Sequence, residues 1–121
     1  MPETDVQTVS QLVRRAIALV DPDGQDAIAP ELELAFEDDD RPAVGLGDSL
    51  AEELRTTVEG LDPEGDSPAA AMAAAVAAFL ATQPQGGPDE TATLREAARI
   101  AWGDERPENV RAWLADHGVD D

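Results

Sequence analysis

The sequence predicts an all-α fold, a compact bundle of five to six short helices forming one domain over residues 1–121. Three observations carry this expectation. Apolar residues recur at three- and four-residue steps, the spacing that lines one face of a helix. Turns rich in proline and glycine separate these segments at short intervals. One segment, Ala69 to Ala81, carries no charge on a chain otherwise dense with carboxylates, so it reads as the central helix. The ends, about residues 1–4 and 119–121, are expected to be flexible.

The first helix is expected from Asp5 to Val20. Val6, Val9, Val13, Ile17 and Val20 form its apolar stripe, widened by Leu12 and Ala16, and Thr4 with Gln7 has capping-box spacing. Asp21-Pro22-Asp23-Gly24 ends it, because proline and glycine both resist helical continuation. Residues 30–37 carry two periods. Pro30 suits a first helical position ahead of Leu32, Ala35 and Phe36 on one face. Leu32, Leu34 and Phe36 also alternate as in a strand. A short helix is favoured here.

The third helix is expected from Ser49 to Glu59, with Ser49 and Glu52 as a capping pair. Leu50, Leu54 and Val58 lie on its face, and Gly60 serves as a left-handed C-cap ahead of Leu61. The fourth runs from Pro68 to Thr82, capped by Ser67, with Met72, Val76, Phe79 and Leu80 as its bulk. Gln83 to Pro88 is a loop. The fifth spans Glu90 to Trp102 and stops at Gly103, and the sixth follows Pro107 and stops at Gly118. Trp102 and Trp113 are expected as buried anchors of these last two helices.

Two stretches match each other. Val9, Val13, Ile17 and Val20 before Asp21-Pro22-Asp23-Gly24 correspond to Leu50, Leu54, Val58 and Leu61 before Asp62-Pro63-Glu64-Gly65. Arg14 corresponds to Arg55, Asp26 to Asp66, and Pro30 to Pro68. Residues 6–45 and 47–88 therefore read as a duplicated helical hairpin. The alternative is two amphipathic helices that share a stop signal by chance.

Charge dominates the composition. The 27 acidic residues face 8 basic ones, every basic residue is arginine, and the net charge is −19. Such a balance suits either a disordered chain or a folded domain with an acidic, lysine-free shell. The 42% hydrophobic content, set in periodic segments, favours the fold. Self-repulsion at this charge destabilises a compact state in dilute buffer. Molar salt shrinks the screening length to about 3 Å and removes most of it. The surface is therefore that of a protein adapted to very high salt. Cysteine is absent, which excludes disulfides and thiolate chemistry and fits a reducing cytoplasm. The N-terminus shows no basic and apolar leader pattern, and the thirteen-residue apolar run is shorter than the roughly 20 residues of a membrane span. Neither secretion nor a membrane is expected.

The catalytic inventory is thin: one histidine, and no lysine, cysteine or tyrosine. A phosphate-binding loop would need a lysine. His117 falls in the last turn of the sixth helix, where a cation complements the helix dipole. No enzyme activity and no cofactor are expected. The segment from Asp21 resembles an EF-hand calcium loop at its first, third and eighth positions (Asp21, Asp23, Ile28). It departs at the sixth, Asp26, and at the twelfth, Leu32, with Glu31 one place early. Asp21, Asp23, Asp26 and Glu31 are thus the only metal candidates, and the segment reads as an acidic turn.

Residues 93–114 carry Thr93-Leu94-Arg95-Glu96-Ala97-Ala98, then Trp102-Gly103, then Pro107-Glu108-Asn109-Val110-Arg111-Ala112-Trp113-Leu114. This resembles the helix-turn-helix of MerR and excisionase-type DNA-binding proteins. The resemblance implies core roles for Leu94, Ala98, Val110 and Trp113, and DNA contacts for Arg106 and Arg111. The turn is one residue too long, Asp104, Glu105 and Glu108 sit where phosphates would approach, and no wing strands follow Leu114. The expected function is a non-catalytic protein-interaction module that binds another protein or a second copy of itself. The alternative is a DNA-binding regulator using residues 90–102 and 107–117, and the third reading is an acidic divalent-cation-binding protein.

The charge balance predicts a salt-dependent fold. Like charges at 4 Å repel by about 1 kcal/mol in water, and many such pairs rival a domain's stability of about 5–15 kcal/mol. Melting temperature, followed by circular dichroism, should rise markedly from dilute buffer to molar KCl, most steeply at low ionic strength. A flat profile with full helicity in dilute buffer would refute the reading.

Overall fold

A computed structural model of the chain describes residues 8–42, 46, 48–82 and 89–119. Among these residues lie six helices: α1 (Val9–Val20), α2 (Ala29–Ala35), α3 (Asp48–Leu61), α4 (Pro68–Thr82), α5 (Glu90–Trp102) and α6 (Glu108–Asp116). They contain no strand, only an isolated antiparallel bridge between Thr8 and Pro42. Residues 30–37 resolve in favour of the helix. Ala29, Leu32 and Phe36 share its buried side, and Leu34 stands 63% exposed, which a half-buried strand would not allow.

Helix α4 is the axis of the bundle and packs against each of the other five helices. Its charge-free sequence explains this, since a helix apolar on every side gains by being covered on every side. Met72, Val76, Phe79 and Leu80 are buried, as are Ala73, Ala74, Ala75 and Ala77 between them. Those small side chains let neighbouring helices approach closely. Pro68 opens the helix and Ser67 caps it, its Oγ accepting from the Ala70 N–H at 3.0 Å.

Helix α1 starts later than its apolar period suggests. Thr8 is extended (φ −86°, ψ 164°) and forms a capping box with Gln11. Thr8 Oγ1 accepts from the Gln11 N–H, and Gln11 Oε1 from the Thr8 N–H. The next orphan donors meet the segment after α2, where Val9 N–H donates to Arg41 O at 3.0 Å and Ser10 N–H to Asp39 O at 3.1 Å. The helix therefore begins at Val9 and not at Asp5. The Thr4–Gln7 pair lies outside the described residues, as does the loop at 83–88.

The duplicated hairpin is visible in the two turns. Asp21 and Asp62 each follow a helix, and their backbone N–H groups donate to Ile17 O and Val58 O. The Asp21 carboxylate accepts from Gln25 and Asp26 N–H, and that of Asp62 from Asp66 and Ser67 N–H. Gly24 (φ +66°) and Gly65 (φ +68°) close the two turns in the left-handed conformation that glycine alone adopts freely. The equivalences thus run at a constant offset of 41 positions. This makes Ser67, rather than Asp66, the counterpart of Asp26. Asp26 caps α2 by accepting from Ile28 and Ala29 N–H, as Ser67 caps α4. The two caps then meet, for Ser67 Oγ donates to the Asp26 carboxylate at 2.8 Å.

Other boundaries differ from the sequence expectation for local reasons. Ser49 lies inside α3, not at its cap, with its N–H on Leu46 O. Gly60 keeps a helical conformation, and α3 continues to Leu61. The left-handed residue is Gly65, because Asp62 supplies the turn's acceptors. Trp102 and Trp113 are only half-buried, since α5 and α6 each lie on one side of α4 and their indoles sit at the margin of the core. Val119, placed in the flexible end, is buried and its N–H donates to Leu114 O at 2.9 Å, so the chain is held as far as that residue.

The paired caps generate a coupling prediction. Ser67→Ala should cost about 1–2 kcal/mol, the range for a lost helix cap. Asp26→Ala should cost a similar amount, and the double variant clearly less than the sum, because the residues share a bond. Strict additivity in denaturant melts would show that the two turns act independently.

Candidate functional site

Helices α3 and α5 lie on either side of α4 and barely touch each other. A strip of α4 between them stays partly open, with Ala71 and Ala78 partly exposed and Ala74 and Ala75 buried beneath. The result is an open groove of about 470 Å³. Ala71, Ala74, Ala75 and Ala78 form its floor. Ala51, Arg55 and Val58 of α3 line one wall, and Ala97, Ile100 and Ala101 of α5 the other. Ile100 stands 64% exposed on the rim. Trp102, Pro107 and Val110 close one end against the turn at Pro63 and Gly65. Asn109 Nδ2 fastens that end by donating to Gly65 O at 2.7 Å.

The groove is apolar inside and acidic at its borders. Glu52, Glu59 and Asp62 line it together with a single cation, Arg55, which pairs with Glu52. The two turns at the closed end carry six acids (Asp62, Glu64, Asp66, Asp104, Glu105, Glu108) and one arginine, Arg106. Its lining offers apolar contact framed by carboxylates.

The residues singled out by sequence lie elsewhere or are occupied. A second cleft, about 510 Å³, runs between the Asp21–Asp26 turn, the start of α5 and the end of α6. Asp21 and Asp26 border it, but their carboxylates accept backbone N–H groups of their own turn. Asp23 is exposed, and Glu31 is exposed in the first turn of α2. Among the described residues, no three His, Cys, Asp or Glu side chains converge as a metal site. His117, at the other side of this cleft, is the C-cap of α6. Its Nδ1–H donates to Trp113 O at 2.8 Å, and its ring stacks on the Trp113 indole with centroids 3.8 Å apart.

Leu94, Ala98 and Val110 are buried, as the helix-turn-helix resemblance implies, and Trp113 is half-buried. Arg111 is exposed on α6, whereas Arg106 is half-buried in the turn before it. Both α5 and α6 pack on α4 and make little contact with each other. In a helix-turn-helix the first helix packs on the second.

Several arginines are tied to nearby carboxylates. Arg14 pairs with Glu33, Arg55 with Glu52 and Arg99 with Glu96. Arg41 holds two partners at once. Its Nε and Nη2 donate to Asp39 at 2.8 and 2.6 Å, and Nη1 and Nη2 to Glu53 at 3.0 and 2.8 Å. The hydrogen bonds from Arg41 hold the Asp39 and Glu53 carboxyls below the usual carboxylate range, and those two acids raise the guanidinium in turn.

No protein-family model, curated protein or solved structure matches this chain. The groove escapes sequence reasoning because its floor and its core-facing sides are both alanine. Ile100 was the readable signal, an isoleucine off the α5 stripe of Leu94, Ala97 and Ala98.

The Arg41 cluster yields an acid-dependence prediction. A carboxyl whose folded-state pKa is depressed contributes stability above its unfolded pKa, about 4, and loses it as pH falls through the folded value. Arg41→Gln should therefore melt below the parent protein at pH 7, and the gap should narrow below about pH 4. A gap that stays constant across acid titration at fixed ionic strength would refute the assignment.

Proposed function

We propose that the protein is a non-catalytic protein-interaction module whose groove between α3, α4 and α5 receives a helical segment of a partner. One observation carries this reading: the open, alanine-floored groove along α4, rimmed by the exposed Ile100. Docking of an amphipathic helix into an apolar groove is a recurrent recognition mode, and small floor residues let a helix approach closely. The absence of lysine and cysteine and the charge of −19 support a setting in a cytoplasm of concentrated salt.

DNA binding has less support. Asp104, Glu105 and Glu108 are exposed in and beside the turn that would face phosphates, where local positive charge is needed. Divalent-cation binding has the least, since Asp21 and Asp26 already serve their own backbone.

The test is a nuclear magnetic resonance titration of methyl-labelled alanines with a neutral amphipathic helix, leucine on one face and glutamine and serine on the other. The methyls of Ala71, Ala74, Ala75 and Ala78 should shift, while those of buried Ala16 and Ala29 stay in place. Ile100→Asp, an exposed substitution expected to change stability by no more than about 0.5 kcal/mol, should abolish the shifts. Shifts that ignore the groove, or survive in Ile100→Asp, would overturn the proposal.

A further inference from the structure

We infer that the occupant of the α3–α4–α5 groove is a cationic amphipathic helix of another protein, with its basic residues concentrated over the closed end. The inference rests on the docking reading above and adds the chemistry of the partner. Among charged residues lining the groove, Glu59 and Asp62 remain after Arg55 is neutralised by Glu52. The Asp62 carboxylate accepts two backbone N–H groups, but hydrogen bonding does not remove its charge. At the closed end, Glu64, Asp66, Asp104, Glu105 and Glu108 are all exposed. They flank Pro63, Gly65, Pro107 and Asn109, which line the groove itself. An entering helix therefore meets an apolar floor and, at one end, a surplus of negative charge.

This pattern discriminates between occupants. A second copy of the chain brings another net charge of −19 against the same acidic border, which like-charge juxtaposition disfavours. An acidic partner segment meets the same penalty. A segment with leucine-like residues on one face and lysine or arginine on its flanks satisfies both features, and its charge also steers the encounter. Salt screens the charged part and leaves the apolar part, so affinity should fall with ionic strength without vanishing.

The test uses three model helices with one leucine face and lysine, glutamine or glutamate on the other positions. Binding to the full chain is followed by titration calorimetry, first at the lowest salt that keeps the fold and then in molar KCl. The lysine helix should bind at least about tenfold more tightly than the glutamine helix, and the glutamate helix should bind most weakly. The charge-neutral, groove-filling double variant Ala71→Leu with Ala78→Leu should weaken the lysine helix by at least about tenfold. Both alanines are partly exposed and line the groove, so leucine there extends into it, and a thermal melt confirms that the variant folds.

Equal affinities for all three helices, each weakened by the filled groove, would sink the cationic partner and leave the docking site standing. Lysine-helix binding untouched by the filled groove would mean diffuse attraction to the acidic shell and would overturn the inference. Self-association in sedimentation runs, abolished by the filled groove, would make a second copy the occupant and overturn it as well.

Discussion

The structure depends on the burial of one uncharged helix. Helix α4 supplies contact to every other element, and its residues from Ala69 to Ala81 leave nothing that water would hold back. Elsewhere the chain is so acidic that few segments could occupy the centre. The bulk comes from Met72, Val76, Phe79 and Leu80, and the closeness of packing comes from alanine. Neighbours supply longer aliphatic side chains, such as Leu12, Leu32, Leu50 and Leu54, all buried against this slim axis. Large residues on the outer helices and small ones on the inner helix give the interdigitation that dense cores require.

Around that axis two turns repeat one pattern of hydrogen bonds. A bond between positions 41 apart joins the two turns directly. Asp26 and Ser67 both accept backbone N–H groups at the start of a helix, Asp26 from Ile28 and Ala29 and Ser67 from Ala70. The difference in side chain is useful, because two aspartates facing each other would repel, whereas a hydroxyl donates to a carboxylate. Helices α5 and α6 have no counterpart in this pairing and pack on a further side of α4.

Much of this organisation was legible in the sequence, and the gaps have definite causes. Periodicity located the amphipathic helices, since that spacing reports burial directly, but at residues 30–37 it fitted helix and strand alike. The charge-free run identified α4, and the matched turn motifs exposed the hairpin repeat. Helix ends were harder. Val6 continues the stripe of α1, yet the helix starts at Val9 because Thr8 and the distant residues Asp39 and Arg41 satisfy its first donors. Gly60 looked like a terminator, but the Asp62 carboxylate serves the turn two residues further on. Trp102 and Trp113 carried a strong core signal that the architecture only half honours, as their helices lie on the outside of the bundle. The metal candidates failed to separate from ordinary turn residues in sequence because an Asx-type turn and a calcium loop draw on the same side chains.

The groove follows from the same economy of side chains that makes α4 central. Five helices surround α4, but α3 and α5 pack on separate sides of it and barely touch each other. The face left between them is apolar because α4 is apolar on all sides; no separate run of exposed hydrophobic residues was needed to create it. An unprotected apolar face on a neutral protein invites association with copies of itself. On this chain the acidic border raises the cost of that encounter without filling the groove. On the proposed docking, repulsion between identical surfaces and attraction for a basic helix would arise from one set of carboxylates.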